Sequence, residues 1–361
     1  MAQLLDFKCP SCGGAINFDS QIQKMKCPYC DTEFEMDAVK QYEEAIQNEH
    51  EQDDFTWNIK ADSNWQEDEL NNYAAYVCMS CGGQIVGDTT TSATSCPYCD
   101  NPVVIAGNIA GDMRPDYIIP FKLTKEQAKQ GLRNHIKGKR LLPKQFKDEN
   151  HIDKIRGMYV PFWLFDTKAD ANFRYKGTKT STWSDSDYVY TKTSYYSILR
   201  SGNIAFNSVP VDASSKMPDD LMESIEPYNI AELTDFNAGF LAGYLADRYD
   251  VPADDCIERA NHRVRQSTED RFRSTVSGYK TVAQENSNIK LSDGKANYVL
   301  YPVWVLNTSW QGEQFTFAMN GQTGRFIGDL PLDRKAYWKW FGLIALIVAV
   351  LAYAAAWLFL R

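Results

Sequence analysis

Eight of the nine cysteines in this 361-residue chain form two groups of four with identical spacing. Each group has the pattern C-x2-C-x14-C-x2-C, and every cysteine of the first group recurs 69 positions later in the second. Two C-x2-C pairs joined by a hairpin direct four thiolates to one centre, the donor set of a structural zinc site. The candidate ligands are Cys9, Cys12, Cys27 and Cys30, followed by Cys78, Cys81, Cys96 and Cys99.

The residues around these cysteines repeat too. The motifs SCGG and CPYCD occur once in each group, which predicts a duplicated zinc-ribbon module. Gly13 and Gly82 suit the left-handed turn that lets backbone amides approach the sulfurs. Because four sulfurs leave no open position for water or substrate, we predict two structural Zn2+ ions, one for each group. A pair of disulfides is the alternative, which a reducing cytosol disfavours.

The remaining sequence predicts the elements around these modules. The fold class is α+β, with zinc ribbons at residues 1–38 and 73–112 and an acidic linker at residues 39–72 between them. A body rich in antiparallel sheet follows at residues 113–333. One transmembrane helix ends the chain at residues 341–360, where twenty residues carry no charge and span roughly the 30 Å hydrocarbon core of a bilayer.

The N-terminal arm holds the acidity of the chain. Residues 1–75 contain 5 basic and 16 acidic residues, a net charge of −11, whereas the remainder has a net charge of +2. A solvated linker is one explanation of this charge run. Trp57 and Trp65 lie in the same polar segment and favour a second explanation, that they anchor the arm in a pocket of this chain or of a partner.

Patterns within the body predict its helices and strands. Thr124 is a candidate cap for a helix that ends near Ile136, and a long helix is expected over Pro252–Val276. Alternation predicts antiparallel strands with one face toward water, at Phe173 and Tyr175, Tyr188 and Tyr190, and Ile204 and Phe206. The Asp293-Gly294 and Asn320-Gly321 dipeptides predict hairpin turns.

The body also contains an internal echo. PFWLFD at Pro161–Asp166 resembles PVWVLN at Pro302–Asn307, and NHI at Asn134 resembles NHR at Asn261. Two helix-plus-sheet halves that share one core would produce this echo. Strand composition alone is the alternative explanation.

The sequence around the apolar span indicates its orientation. Arg334, Lys335 and Lys339 precede the span closely and Arg361 alone follows it. The positive-inside bias therefore keeps the N-terminal bulk in the cytoplasm. No basic region followed by an apolar run occurs near the first residue, so no signal peptide is expected. We predict a single-pass, tail-anchored protein of the cell membrane.

The charge distribution disfavours nucleic-acid binding, and the lack of catalytic motifs disfavours an enzyme. The segment Ala61–Met113 contains no Lys or Arg, so the second module lacks the cations that contact phosphates in nucleic acid. The four histidines are scattered, and the chain contains no HExxH, phosphate-binding loop or GxSxG motif. Cys256 lies among acidic residues that disfavour a thiolate and is expected to serve packing. No catalytic residue is therefore predicted.

One stretch of the body is basic. Lys122–Arg156 carries 11 basic and 4 acidic residues. A solvated helix face is the simplest explanation. A surface for anionic lipid headgroups, or for the acidic arm, is the sharper one.

These motifs, in this order, resemble a bacterial family of double zinc-ribbon, tail-anchored proteins. The likeness rests on CPSCGG, CPYCDTEF, CMSCGG and CPYCDNPVV, on Trp57, Trp65 and Glu69, and on IIPF at Ile118–Phe121 and YVPFW at Tyr159–Trp163. Members are labelled as transcription-factor-IIB-type zinc ribbons or as primosomal helicase-like. The helicase label does not suit this chain, which lacks a nucleotide-binding motif.

The resemblance implies a membrane platform in envelope stress. Its implied protein partners are phage-shock-protein-A-like and flotillin-like or virion-core-like proteins. The sequence therefore predicts a non-enzymatic adaptor or scaffold that recruits cytosolic proteins to the membrane, with membrane lipid around its anchor. The alternative is a zinc-ribbon protein of replication or transcription that is tethered to the membrane, and a third option is an enzyme whose body carries no known motif.

Overall fold

A computed structural model of the chain describes residues 7–47, 54–57, 65, 73–88, 96–99, 101, 103–107 and 113–359. The chain divides into two compact units. Unit 1 comprises Met1–Ile59, Phe165–Val209 and Ile257–Ala296, and unit 2 comprises Lys60–Leu164, Pro210–Cys256 and Asn297–Arg361. The described architecture is α+β, as predicted from the sequence.

Unit 1 begins with the first cysteine module, residues 7–34. Its three short strands form an antiparallel sheet in the order β1, β2, β3. Helix α1 follows at Met36–Gln47. Ile16, Met25 and Val39 pack with two of the cysteines into a small core of their own. The strands are β1 (Asn17–Asp19), β2 (Lys24–Lys26) and β3 (Glu33–Phe34).

The rest of unit 1 is a sheet covered by a helix. It contains β4 (Asp54–Trp57) and parts of β9 (Arg156–Ser184), β10 (Val189–Asp212) and β13 (Thr281–Trp310). Strand β4 pairs in parallel with β13, and β10 pairs with β9. Between Thr167 and Tyr175 every second side chain of β9 is buried, because one face of the strand packs beneath helix α5 (Ala253–Ser274).

Unit 2 is built on a mixed sheet. Its neighbouring strands are, in order, β11, β8, β13, β9, β12, β6, β5 and β7, and β14 and β15 extend from β13. Strand β12 is parallel to β9 and antiparallel to β6. The further strands are β5 (Tyr73–Cys78), β6 (Gln84–Asp88), β7 (Val103–Gly107), β8 (Tyr117–Ile118), β11 (Thr234–Asp235), β12 (Leu245–Asp247), β14 (Glu313–Asn320) and β15 (Phe326–Gly328).

Helices and loops bury both faces of this sheet. Met158 to Phe165 of β9 are all buried, as expected for a central strand covered on both sides. Helix α2 (Lys125–Ile136) packs on one side through Ala128 and Leu132. Its cap is the predicted one, because the Thr124 side chain accepts a hydrogen bond from the Gln127 amide and the Gln127 side chain accepts one from the Thr124 amide. Helices α3 (Glu149–Ile152) and α4 (Asp219–Ser224) are short.

The last element, helix α6, covers Arg334–Phe359. The Asp333 carboxylate accepts hydrogen bonds from the amides of Lys335 and Ala336 and so caps its first turn. The helix is long and apolar enough to cross a membrane, and the structure buries none of its most apolar stretch. A soluble core helix of this composition would be buried.

The structure corrects two expectations about the body. The Asp293-Gly294 dipeptide forms no hairpin. It lies inside the continuous strand β13, where Asp293 adopts a positive φ of 57° and the pairing with β4 shifts register, so the dipeptide forms a bulge. The rings of Tyr188 and Tyr190 are exposed, because the β9–β10 hairpin extends beyond the residues that helix α5 contacts.

Other expectations are confirmed. The Asn320-Gly321 turn links β14 to β15, with the Gly324 amide bonded to the Asn320 carbonyl oxygen. Two parts of the chain have a helix, then a long strand, then the strand that pairs with it. These are α2, β9 and β10 in the first part and α5, β13 and β14 in the second. That order agrees with the internal echo, and the duplication itself stays a prediction, as do the domain boundaries.

Candidate metal centres

The structure brings the predicted ligands together in two groups of four. Within each group the sulfur atoms all lie within 4.8 Å of one another. The separations include 3.6 Å for Cys9–Cys30, 3.5 Å for Cys12–Cys27, 3.5 Å for Cys78–Cys99 and 3.6 Å for Cys81–Cys96.

These separations fit a metal and not a disulfide. A tetrahedral metal with bonds of about 2.3 Å to four sulfurs places them about 3.8 Å apart, whereas a disulfide needs about 2.05 Å. All nine cysteines of the chain are free. Among the described residues, these two quartets are the groups of three or more Cys, His, Asp or Glu side chains that could hold a metal ion.

Each C-x2-C pair forms a turn called a knuckle, and the same backbone hydrogen bond shapes the first knuckle of both modules. The Gly13 amide donates to the Cys9 carbonyl oxygen over 2.8 Å, and the Gly82 amide donates to that of Cys78 over 2.8 Å. Both glycines have the predicted left-handed conformation, with φ of +75° and +71°. A residue with a Cβ would be strained there.

The repeated Gly and Tyr residues outside the ligand set also have a structural reason. A Cβ on Gly14 would lie 2.6 Å from the ring of Tyr29, and a Cβ on Gly83 would lie 2.9 Å from the ring of Tyr98. In each module, therefore, the tyrosine of CPYC packs directly on the second glycine of SCGG. This contact holds the two knuckles together and explains why both motifs recur.

The thiols differ in acidity within each quartet. Burial raises the pKa of Cys9 to about 12. The Thr32 hydroxyl and amide, which bond the Cys30 sulfur, lower the pKa of Cys30 to about 6. Burial raises the pKa of Cys99, but the bonds from the Asn101 side chain and amide outweigh it and bring the value to about 7. One thiol in each quartet therefore ionises readily near neutral pH, which eases the loading of a cation.

The two modules differ in what surrounds them. Tyr29 of the first module is 74% exposed. Tyr98 of the second module packs against the main core of unit 2 together with Cys81, Cys99 and Val103. Cys78 and Cys96 belong to that core. Through the pairing of β6 with β12, the second module is also part of the unit 2 sheet.

A buried polar group lies beside Tyr98. The Tyr98 hydroxyl is buried, and its neighbours Asp247 and Ser214 are buried as well. The Ser214 hydroxyl donates a hydrogen bond to the Asp247 carboxylate. Burial raises the pKa of Asp247 to about 7, against the lowering effect of that bond. Burial and the nearby carboxylate raise the pKa of Tyr98 well above its usual value.

Sequence reasoning missed the side chains that hold the second module. The Lys216 ammonium donates to the Cys81 carbonyl oxygen over 3.1 Å, and the Asn307 amide donates to that of Pro97 over 2.6 Å. One bond is made to each knuckle. No motif marks these residues. The apolar run of β5, YAAYVC, is the one signal that could have shown this module to be buried.

The comparison with known proteins adds a family. The chain is 32% identical to the uncharacterized protein YdjG of Bacillus subtilis (strain 168) over 342 residues, which is 95% of this chain and 94% of that protein. It belongs to the YdjG family. No family model and no solved structure gives a significant match.

The tryptophans of the acidic arm find pockets in this YdjG-family chain. The Trp57 indole donates to the Asn261 side chain over 2.8 Å and meets Phe165 edge to face at 5.1 Å, all within unit 1. Trp65 meets Phe236 edge to face at 5.6 Å within unit 2. The expectation that they anchor the arm is confirmed, and the pockets belong to this chain.

The remaining candidate groups lie apart from the sulfur sites. Cys256 is buried and its thiol donates to the Asp212 carbonyl oxygen, in agreement with a packing role. His135 contacts the Gly328 carbonyl oxygen, and His151 bonds the Thr308 hydroxyl. His262 is exposed on helix α5, and His50 lies outside the described residues.

The buried carboxyl predicts a pH effect on stability. Because the folded pKa of Asp247 is about 7 and the unfolded value is about 3.9, the folded state holds the proton more tightly between these values. Stability is therefore lost as the pH rises through this window. Asp247→Asn keeps an acceptor for Ser214 and removes the charge. Between pH 5 and 7.5, its free energy of unfolding should rise by about 2 to 3 kcal/mol relative to the parent chain.

Denaturant unfolding across this pH range measures the difference. Metal loss at low pH affects both proteins alike and cancels in the comparison. Asp235→Asn, at an exposed position of β11, is the matched control and should follow the parent chain. Parallel pH profiles for the parent chain and Asp247→Asn would contradict the assignment.

Proposed function

We propose that this protein is a non-enzymatic, zinc-stapled adaptor that is anchored in the cell membrane by helix α6 and recruits protein partners from the cytoplasm. The observation that carries the proposal is an apolar helix with no buried stretch on a chain whose two metal-ligand groups each supply four sulfurs. The helix supports an anchor. The sulfur sites support structural zinc, since they leave no coordination position for substrate.

The first cysteine module supplies the partner surface. Phe18, Ile22 and Tyr29 are exposed apolar side chains on a module with its own small core. Exposed aromatic residues on a rigid base are typical anchors of protein interfaces. The second module offers less of this surface, because Tyr98 and the sulfurs beside it pack against the unit 2 core.

Charge supports a protein partner over nucleic acid. Lys24 forms an ion pair with Glu35 at 2.9 Å and Lys26 forms one with Asp31 at 3.6 Å. These carboxylates lie where a phosphate would have to approach. Exposed pairs of this kind contribute little to stability, but they lower the positive potential that phosphate binding needs. A membrane-tethered nucleic-acid protein therefore remains the weaker proposal.

The resemblance to double zinc-ribbon, tail-anchored proteins adds a biological setting. On that resemblance we propose that the adaptor acts in envelope stress, beside phage-shock-protein-A-like and flotillin-like or virion-core-like partners. An anchor raises the effective concentration of any captured partner at the membrane, so a weak contact suffices for recruitment.

Cross-linking in intact membranes tests the recruitment. The double variant Phe18→Ser/Ile22→Ser should lose cross-linked proteins that the parent chain captures, because it removes two exposed apolar side chains and leaves the ligands and the Tyr29–Gly14 contact in place. A loss of at least tenfold is expected, since truncating an interface anchor typically costs 2 kcal/mol or more. Capture is measured by identifying and counting the cross-linked species.

A matched variant controls for the loss of apolar surface. Tyr188→Ser/Val189→Ser removes two exposed apolar side chains at the tip of the β9–β10 hairpin and should capture the same proteins as the parent chain. If the control loses them and the module variant keeps them, the partner surface lies on the hairpin. Tight binding of DNA by the purified chain at physiological salt would favour the nucleic-acid alternative.

A further inference from the structure

The loop between helices α2 and α3 is unusually basic. Residues 137–147 read KGKRLLPKQFK and contain no acid. We call residues 137–147 the cationic loop. The structure leaves all five of its cations exposed: Lys137, Lys139, Arg140, Lys144 and Lys147. A second set of exposed cations, Arg334, Lys335 and Lys339, lies on the first turns of helix α6.

The structure places the cationic loop against the start of helix α6. The Asp333 amide, one residue before the helix, donates to the Leu141 carbonyl oxygen over 2.8 Å. The Arg140 guanidinium lies over the ring of Trp340, 4.8 Å from its centroid. These contacts are seven residues, about 10 Å, apart along the helix axis, and the loop reaches the second of them through the long side chain of Arg140. Two cation sets that are distant in sequence therefore meet.

The loop is held firmly in this position. Leu142 and Phe146 are buried in the core beneath helix α2, and Gly138 turns the chain with a φ of +77°. The Lys147 ammonium donates to the Lys139 carbonyl oxygen over 2.9 Å across the loop. The cations are therefore presented by a fixed backbone, which lowers the entropy lost on binding.

Acidic side chains near the cationic loop form ion pairs with cations outside the loop. Glu149 forms a two-bond pair with Arg133, at 3.1 and 2.6 Å, and Asp153 pairs with Lys129 at 2.8 Å. An open hollow of about 440 Å³ lies beside the loop, lined by Gln130, Arg133, Asn134, Lys137, Lys147 and Glu149 among others. It gives a headgroup room next to two of the loop cations.

We propose that the cationic loop and the first turns of helix α6 together form a binding site for anionic phospholipid headgroups. This inference rests on the proposed membrane anchorage. Trp338 and Tyr337, exposed on the same turns, are typical of the membrane interface. A loop beside Trp340 then lies at the depth of the lipid phosphates, where each Lys or Arg near an anionic surface strengthens binding about fivefold.

The test uses the full chain in a neutral detergent, titrated with short-chain phosphatidylglycerol or phosphatidylcholine, with bound lipid counted by native mass spectrometry. The parent chain should prefer phosphatidylglycerol. K137Q/K139Q/K144Q should weaken phosphatidylglycerol binding about a hundredfold at low ionic strength and leave phosphatidylcholine unaffected. Substituting arginine at the three positions should restore the preference, because the site requires charge.

The matched control is K176Q/K192Q/K280Q, which changes the net charge equally at exposed lysines of unit 1. It should bind like the parent chain. Equal losses in both triple variants would overturn the site, since net charge alone would then explain binding. Equal displacement of the lipid by the same concentration of inorganic phosphate would overturn lipid as the ligand. A chain that inserts into neutral vesicles without lipid preference contradicts this inference alone, whereas a chain that fails to insert contradicts the anchor.

Discussion

Replacing Cys78 and Cys81 by serine is expected to unfold much of unit 2, whereas the same change at Cys9 and Cys12 should leave unit 2 intact. The sulfurs are equivalent in sequence, and the difference lies in what they support. Cys78 and Cys96 are packed in the core that contains Phe162, Val299 and Tyr301. Losing a structural zinc site removes on the order of 10 kcal/mol of binding energy, comparable with the whole stability of a domain.

The first cysteine module has a small core of its own, so its loss should stay local. We expect one zinc ion in each double variant and two in the parent chain, measured by elemental analysis of freshly isolated, reduced protein. Thermal melting and limited proteolysis then report on the sheet. Identical melting of Cys78→Ser/Cys81→Ser and the parent chain would contradict this account. A metal content of one or none in the parent chain would contradict the two-site assignment.

The local parts of the site could be predicted because their chemistry depends on short spacing. The two C-x2-C pairs determine where the sulfurs meet, and Gly13 and Gly82 have the left-handed conformation that the knuckle needs. The cap at Thr124 and the apolar terminal helix follow from equally local rules. In each case the determining residues lie within a few positions of one another.

The long-range parts could not be predicted in the same way. Tyr29 and Tyr98 occupy the same position of identical motifs, yet one is exposed and the other lies beside Asp247, 149 residues away in sequence. Nothing within either motif distinguishes them. Likewise, Asp293-Gly294 has the composition of a hairpin turn and forms a bulge, because the pairing partners of β13 extend on both sides of it. Contacts with parts of the chain that are distant in sequence decided both outcomes.

The contact between the cationic loop and helix α6 belongs to this second class. The sequence showed a basic stretch and an apolar span separated by about 180 residues. It left a solvated helix face and a lipid surface as competing explanations. Placing Arg140 over Trp340 favours the lipid surface, since the cations then lie beside the helix that we propose as the membrane anchor.

Deleting residues 334–361 is expected to convert the protein from an integral membrane protein to a soluble one. Among the described residues, helix α6 carries 12 of the 24 exposed large apolar side chains, and its removal leaves no other described helix that could span a bilayer. The full chain should stay in the membrane pellet after extraction at alkaline pH, and the truncated chain should appear in the supernatant. The cationic loop alone gives salt-sensitive attachment at most.

A full-length variant distinguishes loss of the membrane-spanning helix from loss of the whole segment 334–361. L346R/V350R places two charges near the middle of the helix, each costing about 2.5 to 3.5 kcal/mol of insertion free energy, and should weaken membrane insertion. L332R, which precedes the helix at an exposed position, is the control and should behave like the parent chain. A separate experiment tests the predicted cytoplasmic orientation. Protease added outside sealed cells should leave the body intact. Continued resistance of the truncated chain to alkaline extraction would mean that residues outside helix α6 form the principal anchor.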